Sequence, residues 1–254
     1  MKLAAVQFRP PKGRPPLARE GLAALIHEAG EGGSDLIVCP EMSTTGYIWP
    51  SAASLDPFAE SARGATFRML SRLAREHRSW IVCGIAERAG DALYNSALVV
   101  DPWGDLARCY RKMLLYSADL SWATPGTERM TSETRFGRLA PAICMDLNDD
   151  ELLRFLERSR SEVLAFCTNW VDEGSNVHAY WRWRLARWPG WLVAANNWGE
   201  DEGTHFSGCS AIMAPSGAAV ATAPQVGDCV LRVDTTSLTV EDLQRPPVSE
   251  FWPW

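Results

Sequence analysis

Three residues in this 254-residue chain have the types and settings for acyl-transfer chemistry: Cys144, Glu41 and Lys112. Cys144 ends the apolar run RLAPAIC, and the chain turns at once polar and acidic in MDLNDDE. A strand-to-turn exit of this kind can present a thiol at a sheet edge beside a backbone N–H, as an oxyanion site requires. Glu41 follows another apolar run in DLIVCPEMSTTGY. A carboxylate there is partly desolvated, which moves its pKa toward the range of a useful general base. Lys112 stands between apolar neighbours in CYRKMLLY, where an ammonium can hold a thiolate or a developing oxyanion. Taken singly, each also reads as a structural residue: an inert buried thiol, a turn acid and a snorkelling lysine.

Other chemistries lack their signatures. The chain has no GxSxG elbow, no phosphate loop, no GxGxxG after a strand and no HExxH. The four histidines (27, 77, 178 and 205) show no ligand spacing, so no metal is expected. His27 and His77 fall on predicted helices and are expected at the surface. A cysteine hydrolase using His178 or His205 as base is the alternative within covalent catalysis. The seven cysteines include no CxxC pair and mostly sit in apolar runs, which fits free thiols in a reducing compartment. The opening apolar run is short for a signal peptide, and no stretch approaches the roughly 18 apolar residues of a membrane span. A cytoplasmic protein is expected. The net charge of −6 is spread among mixed acids and bases, without the basic stripe of a nucleic-acid or membrane binder. The twelve tryptophans are assigned to core and subunit packing.

The residues that position this chemistry alternate between strand-like and helix-like segments. Strands are predicted at 3–8, 36–39, 80–87, 96–101, 138–144, 163–168, 191–196, 210–214 and 229–233. Many are apolar throughout and read as buried central strands. Helices are predicted at 17–31, 66–77, 150–159 and 176–188, the last with Ser175 available as cap. The pattern is that of an α/β protein with helices covering a sheet. Length and the lack of a linker favour a single domain over 1–254. Its aromatic tail, 246–254, is expected to pack on the domain or a dimer interface. Residues 35–41 and 162–170 echo each other as acid-led apolar strands with polar tips, which could meet on one side of a sandwich.

In order and spacing, KLAAVQF, the PE of Glu41, the YRK of Lys112, the CMD of Cys144, TNW at 168–170, YWRWRLAR and AANNWGEDEGTHFSGCSAIMAPSG resemble the nitrilase superfamily of carbon–nitrogen hydrolases. The resemblance implies a four-layer α-β-β-α sandwich, a Glu41–Lys112–Cys144 triad and homodimers or higher assemblies. It implies a Cys144 thioester formed on an amide, with Met145 N–H and Lys112 facing the oxyanion, and no cofactor. Asp119 stands where the family often has a second glutamate; one methylene shorter, it is kept as a helper that positions substrate or Lys112. Tyr47, Met145, Asn169, Trp170 and Asn197 are the substrate-binding candidates, with Trp49 as a further pocket wall. The wording around Lys112 and Cys144 is similar to the N-terminal asparagine/glutamine amidase branch, so the expected partner is a small-molecule amide or a short peptide N-terminus. Met145 occupies a position where nitrilases often carry tryptophan, which favours an amide or carbamoyl bond over a nitrile. The acids Asp146, Asp149, Asp150 and Glu151 are read as caps of the next helix, or else as partners of a substrate ammonium. An N-carbamoyl amine hydrolase and a non-catalytic binding subunit of the same fold are the alternatives.

Overall fold

The computed structural model describes residues 1–238; the expected packing of the 246–254 tail lies outside them. The strands are β1 (Lys2–Gln7), β2 (Leu36–Val38), β3 (Trp80–Ala89), β4 (Ala92–Val100), β5 (Leu106–Arg111), β6 (Ser132–Thr134), β7 (Gly137–Ile143), β8 (Val163–Thr168), β9 (Trp191–Asn196), β10 (Trp198–Asp201), β11 (Thr204–Ser207), β12 (Ala211–Met213), β13 (Ala219–Thr222) and β14 (Cys229–Asp234). The helices are α1 (Pro15–Glu31), α2 (Ala52–Leu55), α3 (Ala65–His77), α4 (Asp150–Ser159) and α5 (Val177–Arg184).

Two six-stranded sheets run in the orders β14-β1-β2-β3-β4-β5 and β13-β12-β9-β8-β7-β6. Each has a parallel centre, β1-β2-β3 and β7-β8-β9, flanked by antiparallel strands. Side-chain alternation along the strands builds the layers. Leu3, Ala5, Leu36 and Val38 face the second sheet and meet Leu139, Val163, Ala165 and Val193. Their neighbours Ala4, Val6 and Ile37 face outward, onto Leu22 and Ile26 of α1 and Leu70 and Leu73 of α3. On the far side, Leu164, Phe166 and Ala194 carry Leu152 and Leu156 of α4 and Trp181 of α5. The result is the four-layer α-β-β-α sandwich. Both faces of each sheet are covered, which is why these strands read as continuous apolar runs.

The structure departs from the sequence expectations in several places. Asn176 caps α5 rather than Ser175, accepting from the Ala179 N–H, and the helix stops at Arg184. Pro189 disfavours helical backbone at the preceding residue, so the expected extension to 188 is lost to turns. The strands β5, β6, β10, β11 and β13 had no clear signal, because they are short or partly exposed and lack a full apolar run. The histidines are not all scattered. Packing of α1 on α3 brings His27 Nδ1 and His77 Nε2 to 2.9 Å, and the His77 side chain is only 8% exposed. Among the described residues, no helix is long and apolar enough to cross a membrane.

Candidate active site

The site forms where the C-terminal ends of the central strands of both sheets meet. Two residues beyond β2, Pro40 leads into a tight turn that buries Glu41 completely. The turn closes on Gly84 of β3: the Gly84 N–H donates to the Pro40 carbonyl, and its own carbonyl accepts from the Ser43 N–H. A Cβ at residue 84 would stand 2.5 Å from both Glu41 Cα and the Pro40 carbonyl oxygen. Backbone cannot yield as a flexible side-chain tip would. Gly84→Ala is therefore expected to push Glu41 off its position and lower kcat/KM by about two orders of magnitude, as a shift of about 1 Å can in a preorganised site. Steady-state kinetics with circular dichroism checks this; a folded variant with unchanged kcat/KM would sink it.

Lys112 leaves the end of β5 and is likewise fully buried. Its ammonium donates to Glu41 Oε1 at 2.8 Å and to Asp119 Oδ2 at 2.6 Å, with the Tyr47 hydroxyl at 3.4 Å. The Lys112 carbonyl accepts from the Gly126 N–H, and its N–H donates to the Asn95 carbonyl. Asp119 is held by the Tyr116 N–H, so the shorter acid reaches the lysine because its loop folds back to it. Asn95, from the middle of β4, donates to Glu41 Oε1 at 2.6 Å and to Asp119 Oδ1 at 3.2 Å. It joins the two acids, and sequence reading passed over it. Its signal was a lone asparagine inside the apolar strand ALYNSALVV.

Cys144 is the first residue after β7 and opens a 3-10 turn, Cys144–Asn148. Its φ of +41° is the left-handed region, costly for a residue with a Cβ, and strain of this kind collects at functional sites. The expected strand end at 144 thus falls one residue early, at a forced elbow. Asp146 holds that elbow. Its Oδ2 accepts from the Ile143 N–H at 2.9 Å and the Tyr110 hydroxyl at 2.7 Å; its Oδ1 accepts from the Met113 and Leu114 N–H groups at 3.0 and 2.9 Å. Fully buried, Asp146 neither caps the next helix nor faces substrate. It ties the cysteine turn to the segment just after Lys112. Asp149 caps α4, accepting from the Glu151 N–H, while Asp150 and Glu151 pair with arginines. Asp146→Asn turns an amide N–H toward a donor and is expected to lower kcat about 10- to 100-fold and stability by about 1–3 kcal/mol. Kinetics and thermal unfolding read the two effects, and an unchanged kcat would remove the positioning role.

Burial sets the electrostatics. Desolvation pushes the Cys144 thiol up to about 12, and the Glu41 charge adds to that; Lys112, the Thr168 hydroxyl and the Asn169 backbone oppose it. Desolvation also raises the Glu41 pKa, against the Lys112 charge, with Asp119 adding to the rise. Burial works against the Lys112 ammonium, but Glu41, Tyr47 and Asp119 together hold its pKa well above the usual lysine range. The resting site thus holds a neutral thiol beside an anchored cation and the buried Glu41 carboxyl. The second sheet completes it: the Asn169 N–H, just past β8, donates to Glu41 Oε2 at 2.8 Å, and its side chain donates to the Glu41 carbonyl at 3.1 Å. The two echoing strand tips of the sequence meet at this contact.

A cavity of about 280 Å³ opens onto Cys144, lined by Tyr116, Met145, Asn148, Asn169, Trp170, Val171 and Glu173. Of the expected substrate-binding residues, Met145, Asn169 and Trp170 line it. Tyr47 is not in this lining, and its hydroxyl accepts from the Lys112 ammonium at 3.4 Å. Trp49 packs on Phe58. Asn197 lines a separate cleft with Arg9, Lys12 and Asp201. Its N–H donates to the Thr168 carbonyl at 3.3 Å, and the chain then turns into the β10-β11 hairpin. Tyr116, Asn148 and Glu173 are lining residues the sequence did not single out, since they come from loops without a pattern. Neither histidine of the alternative Cys–His reading is in this lining: His178 Nε2 pairs with the Cys209 carbonyl, and His205 lies near Glu200.

The model of the carbon–nitrogen hydrolase family matches residues 2–245. A nitrilase from Pyrococcus abyssi (strain GE5 / Orsay) is 31% identical over 217 residues, covering 85% of this chain and 82% of the relative. A protein N-terminal amidase from Schizosaccharomyces pombe is 27% identical over 261 residues, covering 84% and 91%. Among solved structures, a glutamate-to-glutamine variant of the amidase from Nesterenkonia sp. AN1, with acrylamide added to its active-site cysteine, matches with a TM-score of 0.81 at 20% identity, over 96% of this chain and 95% of that one. That likeness speaks for the fold. With the family model matched across nearly its whole length, the chain belongs to the carbon–nitrogen hydrolases.

Proposed function

We propose that the protein is a thiol-dependent amidase that cleaves small linear amides through an acyl-enzyme on Cys144. The observation that carries this reading is the buried Glu41–Lys112–Asp119 cluster, whose Glu41 and Lys112 act electrostatically on Cys144, a residue that lines the cavity. In this mechanism Glu41 takes the thiol proton as sulfur attacks the amide carbon. Lys112 and the Met145 backbone N–H face the carbonyl oxygen as it becomes an oxyanion. The C–N bond breaks, and Glu41 returns its proton to the departing nitrogen. Glu41 then deprotonates water, which attacks the thioester; the C–S bond breaks, the acid departs and Glu41 returns the proton to the Cys144 sulfur. Asp119 and Asn95 position the lysine and the glutamate and take no proton.

The cavity is near the lower end of ligand-pocket volumes, which fits a short acyl group. Glu173 in its lining favours a second reading: an amide whose carbon skeleton carries an ammonium, as the first residue of a peptide does. The N-terminal amidase among the relatives is consistent with that. Ammonia release across ω-amides, peptides with N-terminal Asn or Gln, N-carbamoyl amines and nitriles separates the readings. Intact mass of stalled enzyme is expected to place the acyl group on Cys144, and turnover retained by Cys144→Ala would end the proposal. We further propose that the chain acts as one domain in a cytoplasmic homodimer. Trp183, 54% exposed on α5, supports a partner surface, and light scattering at dilute concentration tests it.

A further inference from the structure

At the outer face of the α1/α3 layer, His27, Glu76 and His77 converge. The three donor atoms form a triangle: His27 Nδ1 to His77 Nε2 is 2.9 Å, His27 Nδ1 to Glu76 Oε1 is 3.2 Å, and His77 Nε2 to Glu76 Oε1 is 3.8 Å. A tetrahedral zinc ion with bonds of about 2.0–2.1 Å needs its donors about 3.3 Å apart, and these edges bracket that spacing. Both histidines are also oriented. The other nitrogen of His27 lies 3.5 Å from Glu31 Oε1, the carboxylate partner that commonly fixes the tautomer of a metal-binding histidine. The His77 ring lies flat against Gly30 of α1: a Cβ there would stand 2.2 Å from the ring. Glycine at 30 is what lets the ring reach His27.

We propose that His27, Glu76 and His77 form a surface site for a divalent transition metal of the zinc class, with water completing its coordination. Two imidazoles and one carboxylate suit zinc, cobalt or nickel far better than calcium or magnesium. The ion bridges α1 and α3 and clamps the helix layer behind the first sheet. Arg72, 3.4 Å from the other Glu76 oxygen, leaves Oε1 available to the metal.

The test uses the full chain carrying Cys144→Ser, so that the catalytic thiol cannot compete for metal. Calorimetric titration with zinc is expected to show one equivalent bound at micromolar affinity. His27→Ala and Glu76→Gln, both at partly exposed positions, should each weaken binding at least tenfold; His77→Gln should as well, if it folds. With cobalt, the visible spectrum should lack thiolate charge-transfer bands. Zinc at about 100 times its Kd should raise Tm by about 5 °C, and His27→Ala should remove that rise. In the chain with Cys144 intact, His27→Ala should leave amidase turnover in metal-free buffer unchanged. Absence of saturable binding, or binding equal in the His27→Ala/Glu76→Gln double variant, overturns the site.

Discussion

Glu41→Gln is expected to lower kcat by about three orders of magnitude while the protein stays folded. The substitution preserves shape, and although its amide NH2 must meet a donor at one of the positions now bonded to Lys112, Asn95 and Asn169, a mismatch of about 1–3 kcal/mol, the side chain still fills the site. It loses the ability to take a proton. That loss matters here because the Cys144 thiol is pushed up to about 12 and carries little thiolate at neutral pH. The nucleophile must be deprotonated as it attacks, and the buried carboxylate is the group placed to do it. General acid–base catalysis contributes about 10²–10⁴-fold, and Glu41 is asked to act in both acylation and deacylation. A factor of about 10³ corresponds to about 4 kcal/mol of barrier. The sign of the thiol shift also fixes a pH dependence. Iodoacetamide should alkylate Cys144 of the parent at a rate that keeps rising through about pH 9, and the rise should begin at lower pH in the Glu41→Gln variant, which lacks the Glu41 charge that adds to the shift. A Glu41→Gln enzyme within tenfold of the parent in kcat would move the base elsewhere.

Lys112→Met is expected to damage catalysis and stability together. Methionine approximates the length of the lysine stem but removes the only cation bonded to Glu41 and Asp119 among their described contacts. Both carboxylates are fully buried and share the Asn95 amide, so without the ammonium they face each other uncompensated. Removing one partner of a buried ion pair costs about 3–5 kcal/mol, or a Tm lower by about 10 °C at this chain length. The loss should depend on pH in a definite direction. Burial already raises the folded-state pKa of Glu41 against the pull of Lys112, and losing that pull raises it further above the unfolded value. Protonation then favours the folded state, so the gap to the parent should narrow as pH falls from about 8 to about 5. For catalysis, the missing oxyanion partner should cost a further factor of about 10²–10³ in kcat. Differential scanning calorimetry over that pH range, beside single-turnover kinetics, separates the effects. A variant with parental Tm at neutral pH would show that the two acids do not rely on the lysine.

The sequence by itself carried an α/β pattern of helices covering a sheet and the order of the chemical groups; the four layers were implied by the family resemblance. Strand and helix periodicities are local, so Leu3, Ala5, Leu36 and Val38 could be read as buried before any partner was known. Cys144, Glu41 and Lys112 were legible because each interrupts an apolar run, and because their order resembled a family. Only the tertiary structure decided what touches what. Lys112 reaches Glu41 across 71 residues, and the Asn169 N–H reaches it across 128. Such contacts follow from which strands pair and which sheet faces which, and no window of sequence encodes that. For the same reason Asp146, placed by spacing at a helix start, proved to be a four-bond clamp between two loops. Asn197, a candidate pocket wall, lines a cleft with Arg9, Lys12 and Asp201. His27 and His77, fifty residues apart, met because two amphipathic helices lie side by side on one sheet face. Burial of apolar surface is non-directional and can be read from residue type, whereas the polar site depends on the directions of hydrogen bonds, which exist only once the chain has closed.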